Sequence, residues 1–425
     1  MTPDWTARTS PPVDGTRPTA PHSRSFLFLQ GPQSRFFRRL GLAIRNTGAR
    51  VLKVNICGGD VFHWPRPCTC LYRGSRGDWP QWVAEIMDRH AVTDILLMGD
   101  KRPMNRDAIC IARSRGIAVH VLEEGYLRPN HITLERDGVN TRSRLPATPE
   151  EVRREAGLLP DPPAYPNVPD NMKIRVRDTL RHHVGNFLLW GLFPRYRTHR
   201  PYTIGWELTG WLPRYVTRRA RQARALAAQK DLLESGRPYF LFPLQLDADI
   251  QVRSYSHFGV RDSIMQVLSS FAASAPRDMT LVVKNHPLDN GLINLDRFVD
   301  SFARATGIRD RVVFLDGGQG RLLMERAQCL GVVLVNSTMG LEALALDRPV
   351  FSLGRAPYAM PGLAATQTDS PLDDFWSAPH HPDPQLLRDF VKLLLHKALV
   401  LGNFYTDWGI ELAVAGSLRR LGLVA

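Results

Sequence analysis

The chain has 425 residues, 44% of them hydrophobic, and is long enough for two domains that each bury a core of their own. It carries 55 Lys and Arg against 41 Asp and Glu, a formal net charge of +14 that favours an acidic partner: nucleic acid, an anionic membrane or an anionic substrate. No run of about 18 uninterrupted apolar residues occurs, so we predict no transmembrane helix.

The N-terminus and the cysteines bear on location. Residues 1–24 are rich in Pro, Thr and Ser and lack an apolar core, which predicts a disordered tail rather than a signal peptide. The 5 cysteines are an odd number without a secretory signal, which indicates reduced thiols and a cytoplasmic protein. Cys68 and Cys70 lack a second ligand pair at zinc spacing, so we expect no metal there.

Apolar runs alternate with helical patterns over residues 25–145, as expected for a parallel, doubly wound N-terminal domain. The predicted strands cover 25–30, 51–56, 94–98 and 117–122, and the helices cover 36–47, 79–90 and 104–115. Residues 146–235 form the connection: a Pro-rich linker or crossover comes first, and a basic, aromatic helical segment follows it.

A second series of the same kind covers residues 236–380. Its predicted strands are 239–243, 280–284, 312–315, 331–335 and 349–353, and its helices are 261–273, 296–305, 320–327 and 340–346. Residues 381–425 predict C-terminal helices over 386–401 and about 408–421. The predicted fold class is therefore α/β, with two Rossmann-like domains that face one cleft.

Polar residues follow several predicted strands, at the edge where parallel α/β sheets bind ligands. The segments are Gln30-Gly31, Lys284-Asn285-His286-Pro287 and Asn336-Ser337-Thr338. Lys and His suit a phosphate, and free N–H groups at a helix start suit an anion. Surface turns and plain N-caps are the structural alternatives. The absence of Walker A and GxGxxG patterns disfavours an NTPase or a dehydrogenase.

Two adjacent acids, Glu123 and Glu124, follow the fourth predicted strand. One carboxylate could act as a nucleophile or base while Arg128 holds the other by an ion pair. Neighbours on a strand point to opposite sides, so at most one acid faces a substrate; the alternative is a salt-bridged loop. Asp247 and Asp249, beyond Gln245, match an Asp-x-Asp pattern that we interpret as a polar loop, with Asp249 retained as a catalytic candidate.

The basic segment has an unusual composition. Residues 173–224 hold twelve Lys and Arg, two acids and eight aromatic residues. Cations attract anionic headgroups and aromatic rings favour the membrane interface, so the segment predicts peripheral binding to an anionic bilayer. A solvated basic helix pair or an RNA-facing patch are the alternatives. No nucleic-acid-binding motif is present, so we expect no nucleic-acid partner.

Taken together, these segments resemble the capsular polysaccharide biosynthesis/export family of KpsS/LipB type over about residues 25–362. The resemblance rests on residues 28–32, 55–60, 123–129, 132–135, 138–140, 243–245, Asp249, Gln251, 284–287, 336–341 and 349–350. It implies a GT-B-like, retaining β-Kdo transferase that uses CMP-Kdo. The implied reaction starts the poly-Kdo linker of a capsule on lysophosphatidylglycerol.

The same resemblance implies roles for individual residues. His286 and Pro287 would bind the CMP phosphate beside Lys284, Ser337 and Thr338 would continue the donor site, and Glu124 would be the nucleophile. Related two-module enzymes usually have Asp-Gly where this chain has Glu124-Gly125. Further candidates for substrate binding are Gln30, Gly31, Arg128, Gln245 and Asn336.

The implied partners are CMP-Kdo, the lipid acceptor, the anionic surface of the inner membrane and other capsule assembly and export proteins. The expected location is the cytoplasm, peripherally on that membrane. No cofactor or metal is expected, because a CMP-sugar carries one phosphate and needs no Mg²⁺ clamp for a diphosphate. A capsule export adaptor without catalysis and another GT-B nucleotide-sugar enzyme remain open alternatives.

Overall fold

A computed structural model of the chain describes residues 23–198, 204–246 and 259–424. Residues 1–22, which make up nearly all of the predicted N-terminal tail, lie outside the described residues. So do Asp247, Asp249 and Gln251. No helix of the described part is long and apolar enough to cross a bilayer, as predicted.

The first unit is a doubly wound sheet. Its strands are β1 (Ser25–Phe28), β2 (Arg50–Asn55), β3 (Thr69–Leu71), β4 (Asp94–Met98), β5 (Ala118–Glu124) and β6 (His131–Arg136). The first five are parallel in the order β3-β2-β1-β4-β5, and β6 pairs antiparallel with β5. The helices are α1 (Phe36–Asn46), α2 (Gly58–His63), α3 (Trp79–Arg89) and α4 (Pro103–Ser114).

Three helices connect this unit to the second: α5 (Pro149–Gly157), α6 (Met172–Leu188) and α7 (Ile204–Glu234). They confirm the helical character predicted for the basic segment. Pro149 occupies the first turn of α5 and the hydroxyl of Thr148 accepts the N–H of Glu151, which is a standard helix start.

The second unit is a parallel sheet in the order β9-β8-β7-β10-β11-β12. Its strands are β7 (Tyr239–Pro243), β8 (Thr280–Lys284), β9 (Val312–Leu315), β10 (Cys329–Leu334), β11 (Val350–Ser352) and β12 (Ala365–Thr366). Its helices are α8 (Val260–Ser274), α9 (Leu295–Ala305), α10 (Gly320–Glu325), α11 (Met339–Ala345) and α12 (Leu372–Phe375). In each sheet the strand order reverses at a switch point, between β1 and β4 in the first sheet and between β7 and β10 in the second. The predicted fold class is confirmed.

The C-terminal segment differs from its prediction. The chain forms α13 (Pro384–Leu393), a π-helical turn (Leu394–Ala398), β13 (Leu399–Leu401) and α14 (Asp407–Arg420). The prediction of a helix to residue 401 is therefore wrong. Strand β13 pairs antiparallel with β6 and covers that edge of the first sheet. A short apolar run fits a buried helix or a buried strand equally well. Here the run forms a strand because it can pair with the open sheet edge at β6.

Three short strands and helices of the first unit were not predicted. Strand β6 contains buried His131, Thr133 and Glu135, which break the apolar signal of a strand. Strand β3 has only three residues. Gly58 and Gly59 begin α2, and two adjacent glycines give no sequence signal for a helix.

Helix α6 crosses closely over α2. A Cβ atom built on Gly58 would lie 2.1 Å from the carbonyl oxygen of Gly185, and one on Gly59 would lie 2.1 Å from Nδ1 of His182. The His182 ring stacks on His63 with centroids 5.8 Å apart. Only glycine allows the two backbones to come this close, so the position of α6 on the first unit depends on these residues.

We expect Gly58→Ala to lower the free energy of unfolding by about 1–3 kcal/mol, because the added methyl group overpacks against a backbone carbonyl that cannot rotate away. Gly157→Ala in α5 is the matched control, since no atom lies within 4 Å of a Cβ there. Chemical denaturation followed by circular dichroism measures both. Equal midpoints for Gly58→Ala and the parent protein would show that the crossing is not closely packed.

Candidate functional site

The two glutamates at the end of β5 point to opposite faces of the sheet, as predicted. Glu124 lies on the side of α14, where the Tyr405 hydroxyl donates to its Oε1 at 3.1 Å. Glu123 lies on the other side, and its Oε2 would be 3.4 Å from a Cβ built on Gly99, at the end of β4. The two carboxylates therefore face different surroundings.

The sequence offers Arg128 as the ion-pair partner of whichever glutamate is not the nucleophile, and Glu124 has a different cationic partner. Its cationic partner is Arg175 of α6, whose Nη2 lies 3.4 Å from Oε1 of Glu124. The Arg175 guanidinium also lies over the Tyr405 ring, 4.3 Å from its centroid. Glu124 is thus held between two donors that are distant in sequence, and its charge is compensated by Arg175.

Arg128 instead reaches toward the second unit. Its Nε donates to the carbonyl oxygen of Gly125 at 3.1 Å, which fixes the loop after β5. Burial together with the charges of Lys284 and Arg128 lowers the pKa of His286 to about 4. Burial raises the pKa of Glu342, while Arg321 and Arg128 oppose that rise. Arg128 from the first unit therefore lies near His286 and Glu342 of the second.

His286 has a defined tautomer. The backbone N–H of His286 donates to Oδ1 of Asn285 at 2.8 Å, and the backbone N–H of Leu288 donates to Nδ1 of the His286 ring at 3.0 Å. Because Nδ1 accepts, the ring hydrogen of the neutral imidazole is on Nε2. A pKa of about 4 keeps the ring neutral near pH 7. His286 is a neutral N–H donor at the end of β8, and the exposed Pro287 follows it.

Lys284 is the cation of this strand end. Its side chain is buried, and burial lowers the pKa of the amine while the charge of Asp316 raises it. A Cβ atom built on Gly320 would lie 3.5 Å from Cε of Lys284, so the amine lies by the start of α10. A largely desolvated Lys next to a neutral His donor suits a monoanionic phosphate.

Two cations of the basic segment are part of the protein interior. Arg214 of α7 binds Asp316 through both terminal nitrogens, at 3.1 and 2.7 Å, and Arg221 reaches the same carboxylate at 2.9 Å. Asn285 donates to Asp316 as well, at 3.0 Å. Arg214 and Arg221 therefore support the strand ends of β8 and β9, and like Arg175 of the same segment they are paired with a carboxylate of the protein.

At the switch point of the second sheet, Gln245 and Asn336 bind each other reciprocally. Nε2 of Gln245 donates to Oδ1 of Asn336 at 2.8 Å, and the N–H of Asn336 donates to Oε1 of Gln245 at 3.0 Å. Oγ of Ser337 accepts the N–H of Met339, the first residue of α11, at 3.2 Å. The Thr338 side chain makes no helix-capping hydrogen bond.

Two candidates for ligand contact, Gln30 and Gly31, follow β1. Oε1 of Gln30 accepts a hydrogen bond from Nη1 of Arg102 at 3.1 Å. Gln30 lies at the switch point of the first sheet. A Cβ atom on Gly31 would lie 2.3 Å from the ring of Phe37, so packing alone explains Gly31. Gln30 remains a candidate for ligand contact, whereas Gly31 is explained structurally.

One group of side chains in the described residues has metal-binding composition. Ligand atoms of Cys57, Asp60 and His182 lie within 4.8 Å of one another, all buried. Asp60 already accepts the N–H of Ile56 at 3.1 Å, and Nζ of Lys53 lies 4.0 Å away. A lysine ammonium thus supplies positive charge to this carboxylate. The set includes neither Cys68 nor Cys70.

Sequence reasoning missed four residues near the site: Arg175, Tyr405, Glu342 and Glu135. Glu135 on β6 is buried, accepts from the hydroxyls of Tyr126 and Ser143, and has a pKa raised by burial to about 7. The one local signal for Glu342 was its position two residues beyond Gly340. Arg175 and Tyr405 reach Glu124 only through tertiary packing.

Known proteins match this chain over most of its length. A family model described as "Capsule polysaccharide biosynthesis protein" matches residues 93–405. The chain is 31% identical over 388 residues to the capsule polysaccharide export protein KpsS of Escherichia coli, covering 90% of this chain and 97% of that one. It is 31% identical over 398 residues to the capsule polysaccharide modification protein LipB of Neisseria meningitidis serogroup A, covering 91% and 92%.

Among solved structures, the β-Kdo 2,7 transferase part of Thermosulfurimonas dismutans KpsC superposes with a TM-score of 0.43 and 14% identity. It covers 93% of this chain and 99% of that one. The family match and the two relatives extend over both sheets and most of the strand ends described above. The chain therefore belongs to the capsule polysaccharide biosynthesis protein family.

Proposed function

We propose that the protein is a retaining β-Kdo transferase that uses CMP-Kdo and places Kdo on lysophosphatidylglycerol to start the poly-Kdo linker of a capsule. The observation that carries this proposal is the packing of Tyr126, directly after β5, in one apolar cluster with Leu241 of β7 and Val282 of β8. It puts the strand end that holds Glu124 opposite the strand end that holds Lys284 and His286. A carboxylate nucleophile and a phosphate site then share one cleft.

The donor half of the cleft suits the single phosphate of CMP. Lys284 supplies a buried positive charge, Nε2 of His286 supplies a neutral N–H, and Arg128 adds a second charge from the first unit. Hydrogen bonds to charged groups are stronger than neutral ones and gain further from a desolvated site. The site needs no divalent cation, because no diphosphate has to be neutralised.

Retention of configuration follows from two displacements. A Glu124 oxygen forms a bond to the anomeric carbon of Kdo while CMP leaves with the electron pair of the broken C–O bond. The acceptor hydroxyl oxygen then attacks the same carbon, the Glu124 carboxylate departs and the hydroxyl proton is released to solvent. Arg175 and Tyr405 orient the carboxylate for the first attack.

The membrane would be met by the outer face of α6. Lys173 and Arg181 are exposed, and so are Val176 and Leu180, which lie one helical turn apart at 58% and 62% exposure. The opposite face of α6 is buried on α2. A helix with cations beside exposed apolar residues suits an anionic lipid surface.

The first prediction is the reaction itself. The purified protein, incubated with CMP-Kdo, lysophosphatidylglycerol and EDTA, should give a product that is heavier by one Kdo, detected by mass spectrometry. Glu124→Gln should abolish this product while leaving CMP binding intact, because an amide cannot form the glycosyl ester. Glu123→Gln is the control on the opposite face of the strand.

Several outcomes would redirect the proposal. Full activity in Glu124→Gln excludes it as the nucleophile and returns the role to Glu123 or Asp249. Product with other nucleotide sugars but not with CMP-Kdo indicates a different nucleotide-sugar enzyme. No turnover of any donor by the parent protein indicates a capsule export adaptor. Activity that EDTA removes contradicts the metal-free site.

His286→Ala should weaken CMP binding by about 1.5–3 kcal/mol, the range for a hydrogen bond to a charged group, with exposed His380→Ala as control. Because the pKa of His286 is lowered to about 4, the ring stays neutral from pH 6 to pH 8. The affinity difference between parent and variant should therefore be equal at both pH values in calorimetry. A difference that grows at pH 6 would show that His286 binds as a cation.

Binding to phosphatidylglycerol vesicles should fall steeply with salt and be absent on neutral vesicles, since each cation near the surface contributes about 1 kcal/mol at most and is screened. The pair Lys173→Gln/Arg181→Gln should lower vesicle binding in sedimentation and leave CMP binding unchanged. The control is the pair Arg50→Gln/Arg89→Gln, which removes the same charge at the amino edge of the first sheet and should leave vesicle binding unchanged. Equal binding by both variants would exclude α6 as the membrane face.

A further inference from the structure

A pocket opens at the carboxyl edge of the first sheet, by the switch point between β1 and β4. The ends of β1, β2 and β3 contribute Gln30, Ile56 and Tyr72, and the segment after α6, Phe193 to Thr198, lines the opposite side. Doubly wound sheets bind ligands at this position. The mechanism above places the donor on the second sheet and leaves this pocket without a ligand.

The pocket is strongly cationic. It is lined by Arg73, Arg76, Arg102, Arg195 and Arg197, and none of the described residues that line it is Asp or Glu. Arg76 pairs with Asp107 at 3.3 Å and Arg102 donates to Gln30. Guanidinium groups bind the oxygens of a phosphate in pairs, and Arg73 and Arg197 approach the pocket from different chain segments. The lining suits a phosphate-bearing ligand.

Large apolar side chains are exposed immediately before the segment that lines the pocket. Phe187 is 76% exposed, Leu188 61% and Trp190 71%. Exposed apolar residues of this size in a group mark a contact with an apolar partner. An anion pocket that such residues directly precede in the chain suits an amphiphile: the charged headgroup would lie in the pocket, and the hydrocarbon chain would contact the exposed apolar residues.

The pocket also borders the strand end that carries the two acids. A Cβ atom on Gly99 would lie 3.4 Å from Oε2 of Glu123 and 3.7 Å from Nε of Arg102, so Arg102 is next to the end of β5. A headgroup bound by the arginines would therefore have its remaining polar groups near the end of β5, on the face of the sheet that carries Glu123.

We infer that this pocket binds the phosphate of an anionic glycerophospholipid, while Phe187, Leu188 and Trp190 contact its acyl chain. Its role as the acceptor site rests on the proposed function, but the binding of the lipid can be measured without transfer. A soluble phosphate compound would use the arginines alone, whereas the phospholipid uses both surfaces.

The test compares three probes by calorimetry on the full chain: short-chain lysophosphatidylglycerol below its micelle concentration, the water-soluble headgroup glycerophosphoglycerol, and monoacylglycerol of the same chain length. Arg73→Gln/Arg197→Gln should weaken both phosphate probes about tenfold or more and spare monoacylglycerol. Phe187→Ser/Trp190→Ser should weaken both acyl probes and spare the headgroup. Arg50→Gln/Arg89→Gln, at the opposite sheet edge, should change none.

Equal affinity of the arginine variant and its control for lysophosphatidylglycerol would overturn the pocket assignment. Equal affinity of the parent for glycerophosphoglycerol and lysophosphatidylglycerol would overturn the acyl contact, since the apolar residues would then add nothing. Transfer is scored separately: lipid binding without Kdo transfer to any acceptor would contradict the proposed function and leave the lipid site supported.

Discussion

The close crossing of α6 over α2 is the contact on which the first half of the candidate site depends. Gly58 and Gly185 allow the two backbones to touch, so α6 lies directly against the first unit. One end of the helix then places Arg175 beside Glu124, and its other end leads into the segment that lines the arginine pocket. A single backbone approach thus positions both the proposed nucleophile and the proposed lipid site.

The large positive charge of the chain divides into two physically different groups. Arg175, Arg214 and Arg221 are partly buried and satisfied by carboxylates, and they hold strand ends in place. Charges of this kind cost free energy to bury and persist because their partners compensate them. The described residues that line the arginine pocket include no Asp or Glu, although Arg76 pairs with Asp107, so the pocket has a positive charge that suits anionic ligands.

The two units are also joined by apolar packing and by strand pairing outside the proposed cleft. Tyr126, directly after β5, belongs to the same apolar cluster as Tyr239 and Leu241 of β7. The C-terminal segment leaves the second unit, adds β13 to the first sheet and places Tyr405 on Glu124. Residues from the connecting segment and from the C-terminal segment are therefore needed to complete the environment of one carboxylate, which ties the site to the folding of the whole protein.

The sequence by itself determined the two alternating series of strands and helices, because hydrophobic periodicity is a local property of the chain. It also determined which strand ends carry Lys284, His286 and Glu124. Tertiary structure alone decided the partner of Glu124, the interior role of Arg214 and Arg221, and the strand formed by Leu399–Leu401. Ion pairing and edge pairing depend on distances between segments far apart in the chain, and no local pattern encodes those distances.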